Sequence, residues 1–349
     1  MSAREIVQER LARQHLGGAR FADPVAAVSW FGAVQSQDFA GSIWGVGQRC
    51  GGATEADLQR VFDAGALVRT HVLRPTWHLV APADLRWMQA LTARRVHALN
   101  APYYKRHELD QATLSRSAAL ISRALTPGHL TRAELAAVLD AGGVSADGQR
   151  LGLIMMWCEL EAIVCSGAMR GRQHTYALVD ERIPATDVLE PDEALGELAR
   201  RYLASHGPAG VADFAWWSGL TKTEAARAIE AAGEIAAPPL SSGRTPAVHL
   251  LPNFDEYVVA YQDRSTLFAS AALADDLAGM GVLASAVILD RGRVAGGWKR
   301  TFEGGRVRLR ATLRTSLSQT AERALEAAAH RYGRFLGKPV ALESGRIDA

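Results

Sequence analysis

Residues 67–80, LVRTHVLRPTWHLV, decide the reading of the fold. The run is rich in β-branched and aromatic residues, so it reads as extended chain. Pro75 lacks a backbone N–H and splits the run, which gives a hairpin or two edge strands. Helical signals precede it. Residues 5–16 are helical. Asp23-Pro24 reads as an N-cap followed by proline at the first helical position. Val25, Val28, Phe31 and Val34 then recur at helical spacing. Thr54-Glu55-Ala56-Asp57 opens another helix, carrying Leu58, Val61 and Phe62. Two or three helices followed by a hairpin is the order of a winged helix.

The order recurs downstream. Residues 85–99 and 114–125 are helical, and Thr131 with Glu134 forms a capping box that opens a third helix. Gly142-Gly143 ends that helix, and residues 149–161 form another. Residues 162–179, AIVCSGAMRGRQHTYALV, give two strands around Gly167–Gly171, a wing-like hairpin. A third block has helices at 192–205, 211–218 and 221–232, with Thr221 as N-cap and Glu224 at N3. After Pro238 the pattern turns to strands at 248–261, 284–289, 293–300 and 307–313. That part reads as a small β-barrel or sheet, closed by a helix over 318–336. The expected class is α+β, mainly helical. The expected divisions are 1–82, 83–185, 186–240 and 241–349.

Composition narrows the function. The 349 residues are 48% hydrophobic, ample for a buried core. Lys and Arg total 39 against 37 Asp and Glu, a net charge of +2, so any nucleic-acid contact must come from local clustering of charge. The three cysteines, Cys50, Cys158 and Cys165, are odd in number and widely spaced. They suit neither a disulfide framework nor a zinc site, and they fit a reducing cytoplasm. The N-terminal segment MSAREIVQERLARQHLGG is charged, without the apolar core of a signal peptide. No apolar run approaches the ~18 residues of a membrane span. Walker A and GxGxxG patterns are absent, so no nucleotide cofactor is expected.

Five groups of residues could carry chemistry. Gln35-Ser36-Gln37 places two carboxamides two residues apart. They share one side only in an extended segment, because on a helix they diverge by about 200°. Glutamine is no general base, but it can hold a water molecule and donate to developing charge. Arg69, His71, Arg74 and His78 crowd the first hairpin and suit phosphate or base contact better than a metal. Arg170, Arg172 and His174 stand at the tip of the second hairpin. Lys299, Arg300, Arg306 and Arg308 belong to the clearest basic cluster, residues 291–310, where Arg306, Arg308 and Arg310 alternate along one strand face. Asp255, Glu256 and Asp263 read as a structural turn with an Asp–Arg pair rather than a metal site. No metal is expected.

Gln35-Ser36-Gln37, RPTWHLV at 74–80 and LPNFDEYVVAYQDRS at 251–265 together resemble the AlkZ/YcaQ-like family of winged-helix DNA glycosylases, over about Arg10 to Leu336. The resemblance implies tandem winged helices in a C shape with a β-barrel element near the C-terminus, a clamp that would embrace duplex DNA as a monomer. It implies monofunctional excision of N7-alkylated purines, with interstrand crosslinks unhooked by some members. The family's Gln-x-Gln motif falls on Gln35 and Gln37, with Ser36 where an apolar residue is usual. The alternative is a non-catalytic winged-helix transcriptional regulator. Such a regulator would normally dimerise to read two half-sites, and no heptad seam is evident.

Overall fold

A computed structural model describes residues 1–126, 128–186, 189–233, 235, 247–270, 273–275 and 285–346. The chain opens with α1 (Ala3–Arg13) and α2 (Pro24–Phe31), the latter capped by Asp23, whose carboxylate accepts from the Ala26 amide at 2.9 Å. Gly32, at φ 78°, ends α2 and turns the chain into β1 (Ala33–Gln35). Then come α3 (Phe39–Gly47), α4 (Glu55–Asp63), β2 (Val68–Val72) and β3 (Arg74–Val80). The three strands form one sheet in the order β1-β3-β2.

The same sequence of elements follows. After α5 (Pro82–Arg106) come α6 (Gln111–Leu125), β4 (Leu130–Thr131), α7 (Arg132–Ala141), α8 (Gln149–Leu160), β5 (Val164–Ser166) and β6 (Thr175–Leu178). Their sheet order is β4-β6-β5, so helix, strand, two helices and a hairpin recur with identical pairing. Thr131 and Glu134 cap α7 reciprocally, as the sequence predicts. A short α9 (Val179–Arg182) leads to the third block, α10 (Pro191–His206), α11 (Val211–Ser218) and α12 (Lys222–Ala232). The end of that division and Pro238 lie outside the described residues.

The C-terminal part comprises β7 (Val248–Leu251), α13 (Glu256–Val259), β8 (Val287–Asp290), β9 (Arg293–Glu303), β10 (Arg306–Leu313), α14 (Gln319–Leu336) and β11 (Val340–Arg346). It is an open five-stranded sheet, β11-β10-β9-β8-β7, and not a barrel. β11 pairs in parallel with β10, and in this strand order β7 and β11 are the two edges, with no pairing between them among the described residues. The predicted strand over 248–261 stops at Leu251, because Asp255 caps α13 with a bond from the Tyr257 amide at 3.0 Å.

Two further departures bear on the site. The hairpin turns at Leu73, φ 64°, and Pro75 lies inside β3 rather than breaking it. It is tolerated there because Pro75 has no partner in either ladder of this central strand. The second departure is α3, FAGSIWGVG, whose glycines disfavour a helix by propensity alone. Packing overrides propensity. A Cβ at Gly47 would sit 2.4 Å from the Phe335 ring, and one at Gly45 would sit 3.3 Å from the Asp255 carboxylate. Only glycine lets α3 lie this close to α14 and to the loop before α13. One apolar core accordingly joins α2, α3 and α4 to the C-terminal sheet and α14, with Trp44 edge-on to Tyr332 at 4.9 Å.

Candidate active site and DNA-facing surface

Gln35 and Gln37 lie where β1 runs out. The Ser36 amide still donates to the Trp77 carbonyl at 2.7 Å, so extended pairing continues past Gln35. α2 has already ended, as the sequence requires for the two carboxamides to share a side. Gln35 pairs in register with His78 on β3. Gln35 is 8% exposed, whereas Gln37 is exposed. The Gln37 Oε1 accepts from the Trp77 amide at 3.4 Å, a long contact that water can displace.

Ser36 is fully buried. Its hydroxyl meets that of Ser42 at 2.7 Å, and Ser42 also donates to the Phe39 carbonyl at 2.8 Å. The polar residue at the centre of the motif is thus satisfied by a second serine on α3. Asp38 caps α3 at once, accepting from the Gly41 amide at 3.2 Å. The short loop between the two glutamines and α3 is therefore fixed at both ends.

The first hairpin splits its basic residues between two faces. Arg69 lies beside the motif: its Nε donates to the Ser36 carbonyl at 2.9 Å and its guanidinium stands 4.3 Å from the centre of the Trp77 ring. His71 does not reach DNA as predicted. It is buried, its Nδ1 bonded to the Glu159 carboxylate and its ring 4.6 Å from Trp77. His78 is also corrected: it is 0% exposed, with Nδ1 at 2.9 Å from the Thr76 carbonyl. Arg74 is turned inward, where its Nη2 donates to Gln35 Oε1 at 2.9 Å. The alternation that reads as an exposed polar face is instead covered by α5 and α8, which pack from elsewhere in the chain.

Burial, and next the Arg74 charge, push the His78 imidazole down to about 3. The unfolded chain carries the ordinary value of 6.5. Below pH 6.5 the unfolded chain therefore takes up a proton that the folded chain refuses, and stability falls as pH drops from about 6.5 toward 3. His249, pushed by burial to about 4, acts in the same direction. The urea midpoint is expected to fall through this window, and His78→Gln to flatten the fall; an unchanged slope in the variant would contradict this assignment.

The second hairpin reaches the same region. The His174 ring packs edge-on against Phe39 at 4.7 Å, one residue beyond Asp38. Burial, and next the charge of Arg69, push that imidazole down to about 4, so it is a neutral group near neutral pH. Arg170 is paired with Glu134 at 2.7 Å, and Arg172 is exposed with no ion pair among the described residues. On the C-terminal sheet, Lys299 and Arg306 are exposed, with no ion pair among the described residues. Arg308 is held by Glu303 at 2.8 Å and Glu343 at 3.4 Å. Arg300 leaves that face and bonds the Tyr332 hydroxyl.

The sequence reading passed over Trp77 and Glu159, which together hold the hairpin beside the motif, with Trp77 Nε1 at 3.4 Å from Glu159 Oε1. It assigned Asp255 and Glu256 to a structural turn with an Asp–Arg pair; the turn is there, and the arginine is Arg49, from far earlier in the chain. Asp255 makes a buried two-pronged pair with Arg49, both contacts 2.8 Å. Glu256 accepts from the Gln35 amide at 2.6 Å. A charged pair inside the otherwise apolar run that follows Phe254 was the available signal. No group of three or more potential metal ligands occurs among the described residues. No helix there is long and apolar enough to cross a membrane.

The fold is that of a tandem winged-helix protein, with Gln35 and Gln37 two residues apart at the end of β1. A family profile described as "DNA glycosylase AlkZ-like" matches residues 28–335. A curated relative, the interstrand DNA cross-link repair glycosylase of Streptomyces sahachiroi, is 23% identical over 330 residues, spanning 85% of this chain and 88% of that protein. The solved structure of Streptomyces sahachiroi DNA glycosylase AlkZ superimposes with a TM-score of 0.77 at 20% identity, covering 98% of this chain and 100% of that one. The chain belongs to the AlkZ-like DNA glycosylase family.

Proposed function

We propose that this protein is a monofunctional DNA glycosylase that hydrolyses the N-glycosidic bond of N7-alkylated purines in duplex DNA, acting in the cytoplasm as a monomer. The observation that carries the reading is the position of Gln35 and Gln37: adjacent at an open strand end, fixed between Arg69 with Trp77 on one side and the capped start of α3 on the other. An N7-alkylguanine is already cationic, so its bond to C1′ breaks without a strong acid. The enzyme has to hold a water molecule and stabilise the developing charge, which carboxamides can do. Strand cleavage by a lyase needs an amine nucleophile. The lysines, Lys105, Lys222, Lys299 and Lys338, all lie outside the first winged helix.

Because the labile bond needs little assistance, the base need not be drawn fully into a pocket, in contrast to many base-modifying enzymes. Bulky adducts and crosslinks are then accepted as substrates, in keeping with the interstrand cross-link repair for which the Streptomyces sahachiroi relative is named. Arg69, Arg172, Lys299 and Arg306 are the DNA contacts this reading favours, since they keep cationic groups at or near the surface. Arg170 and Arg308 contribute less, being already paired with glutamates.

The deciding experiment is base release from a duplex carrying one N7-methylguanine, with the abasic product revealed by alkali. Release, with an intact strand before alkali, supports the reading. Strand cleavage without alkali would overturn the monofunctional part, and binding without release from this or a bulkier N7 adduct would overturn the whole. Separately, Arg172→Ala and Lys299→Ala are each expected to lower the slope of log affinity against log salt by about 0.9. Arg308→Ala should lower it by less. Equal slopes for all three variants and the parent would remove these residues from the interface.

A further inference from the structure

Gln35 does not float at the strand end; a buried polar network holds it. Glu256 is 2% exposed, and its Oε1 accepts from the Gln35 backbone amide at 2.6 Å. Its other oxygen takes the Trp217 indole N–H at 3.0 Å and meets His206 Nε2 at 3.3 Å. His206 is itself fixed by the Ser205 hydroxyl at 2.8 Å and lies stacked on Tyr202 at 4.8 Å. Arg74 stands within the field of the Glu256 charge and donates through Nη2 to Gln35 Oε1 at 2.9 Å.

A guanidinium has only donors, so the Gln35 atom that meets it must be the carbonyl oxygen. The orientation of this carboxamide is therefore forced. Its Nε2 has no protein partner among the described residues, and it is not among the atoms sealed from solvent. On the same face of β3, Arg74 Nε, Thr76 Oγ1 and His78 Nε2 are buried with no protein partner among the described residues. So many polar atoms placed behind one glutamine go beyond what holding a strand requires.

We propose that Arg74, countered by Glu256, is a positioning residue that locks Gln35 with its NH2 toward the DNA side, which makes Gln35 a hydrogen-bond donor and leaves hydrogen-bond acceptance to Gln37. This rests on the glycosylase reading above. An N–H cannot favour an oxocarbenium-like sugar, because like partial charges would meet. It can hold a lone pair of the attacking water. Gln37 is exposed, and its carbonyl oxygen is engaged only by the long contact from the Trp77 amide at 3.4 Å, so a lone pair is left to accept a hydrogen bond from that water. Held by one donor and one acceptor, the water keeps a second lone pair for attack on C1′: the C1′–O bond forms as the C1′–N9 bond breaks, the cationic N7-alkylpurine leaves as a neutral base with the bonding electrons, and the proton of the attacking water passes to bulk water.

The test is single-turnover release of N7-methylguanine at saturating enzyme by the parent protein, Arg74→Met, Gln35→Ala and the double variant. Arg74→Met is expected to lose about tenfold or more in rate, with duplex affinity within about twofold of the parent; losses on this scale accompany one misplaced transition-state donor. The double variant is expected to be no slower than Gln35→Ala, because Arg74 acts only through Gln35. Additive losses in the double variant would overturn the proposal and assign Arg74 a general structural role. If Arg74→Met fails to fold, Arg74→Gln, whose amide can meet Gln35 with either its oxygen or its NH2 and so fixes no orientation, replaces it in the same cycle with the same two outcomes. Gln35→Glu has no outward N–H to offer and is expected to be as slow as Gln35→Ala; parent-like rates would overturn the donor role. No release by the parent protein would overturn the glycosylase reading itself, and this proposal with it.

Discussion

Replacing Gln37 by alanine is expected to slow base release from an N7-methylguanine duplex by about a hundredfold or more, and Gln35→Ala to do the same, while binding to undamaged duplex is expected to stay unchanged. The size follows from the chemistry assigned to them. Removing one preorganised hydrogen-bond group that acts only in the transition state typically costs about 10²–10³ in rate. Ground-state affinity for DNA comes mainly from cations on phosphates, and neither glutamine supplies one. Both effects are read in one experiment, with single-turnover rates for excision and a salt titration for affinity. The structural background should survive both changes. Gln37 is exposed, and Gln35 gives up only its side chain, while its backbone amide keeps the bond to Glu256 at 2.6 Å. Loss of rate accompanied by an equal loss of affinity would point to a collapsed loop instead. Unchanged rates in both variants would remove the motif from the chemistry altogether.

Local rules made much of the architecture legible, and long-range packing hid the rest. The caps at Asp23, Thr54, Thr131 and Thr221 stand where their residues and spacings put them, since a cap is settled within about four residues. The hairpin at residues 67–80 is present because its β-branched composition and its turn are likewise local. α3 was missed because its glycines are chosen by Phe335 and Asp255, far away in the chain. The inward turn of His71 depends on Glu159, which is 88 residues distant, and that of Arg74 on a network reaching Glu256. Period-2 alternation reports that one strand face differs from the other. It does not report that helices will cover both. The two glutamines were visible in the sequence, but which of their atoms would be free was not. That depended on Arg74, which the sequence alone offered as a DNA contact.

The largest effect on stability is expected at Asp255. This carboxylate is buried and meets Arg49 with two contacts of 2.8 Å. Arg49 is buried as well, and also donates to the Gly45 carbonyl at 2.7 Å and to Gln14 through its backbone and side-chain oxygens at 3.0 Å each. The pair thus ties α1, α3 and the loop before α13 into one unit, directly beneath the Gln35 strand end. Asp255→Ala strands a guanidinium out of contact with water, and breaking a buried pair from one side costs about 3–5 kcal/mol. It also removes the cap of α13, which adds about 1 kcal/mol. Asp255→Asn keeps the cap and one acceptor, so its loss should be smaller. Equilibrium unfolding in urea measures both, and the expected order of midpoints is parent, Asp255→Asn, Asp255→Ala. The accompanying change at Arg49 separates the causes: Arg49→Met in the Asp255→Ala background should recover part of the loss, since it withdraws the stranded charge and fills a similar volume. A double variant less stable than Asp255→Ala would mean that the bonds from Arg49 to Gly45 and Gln14, and not its pairing with Asp255, hold this junction together.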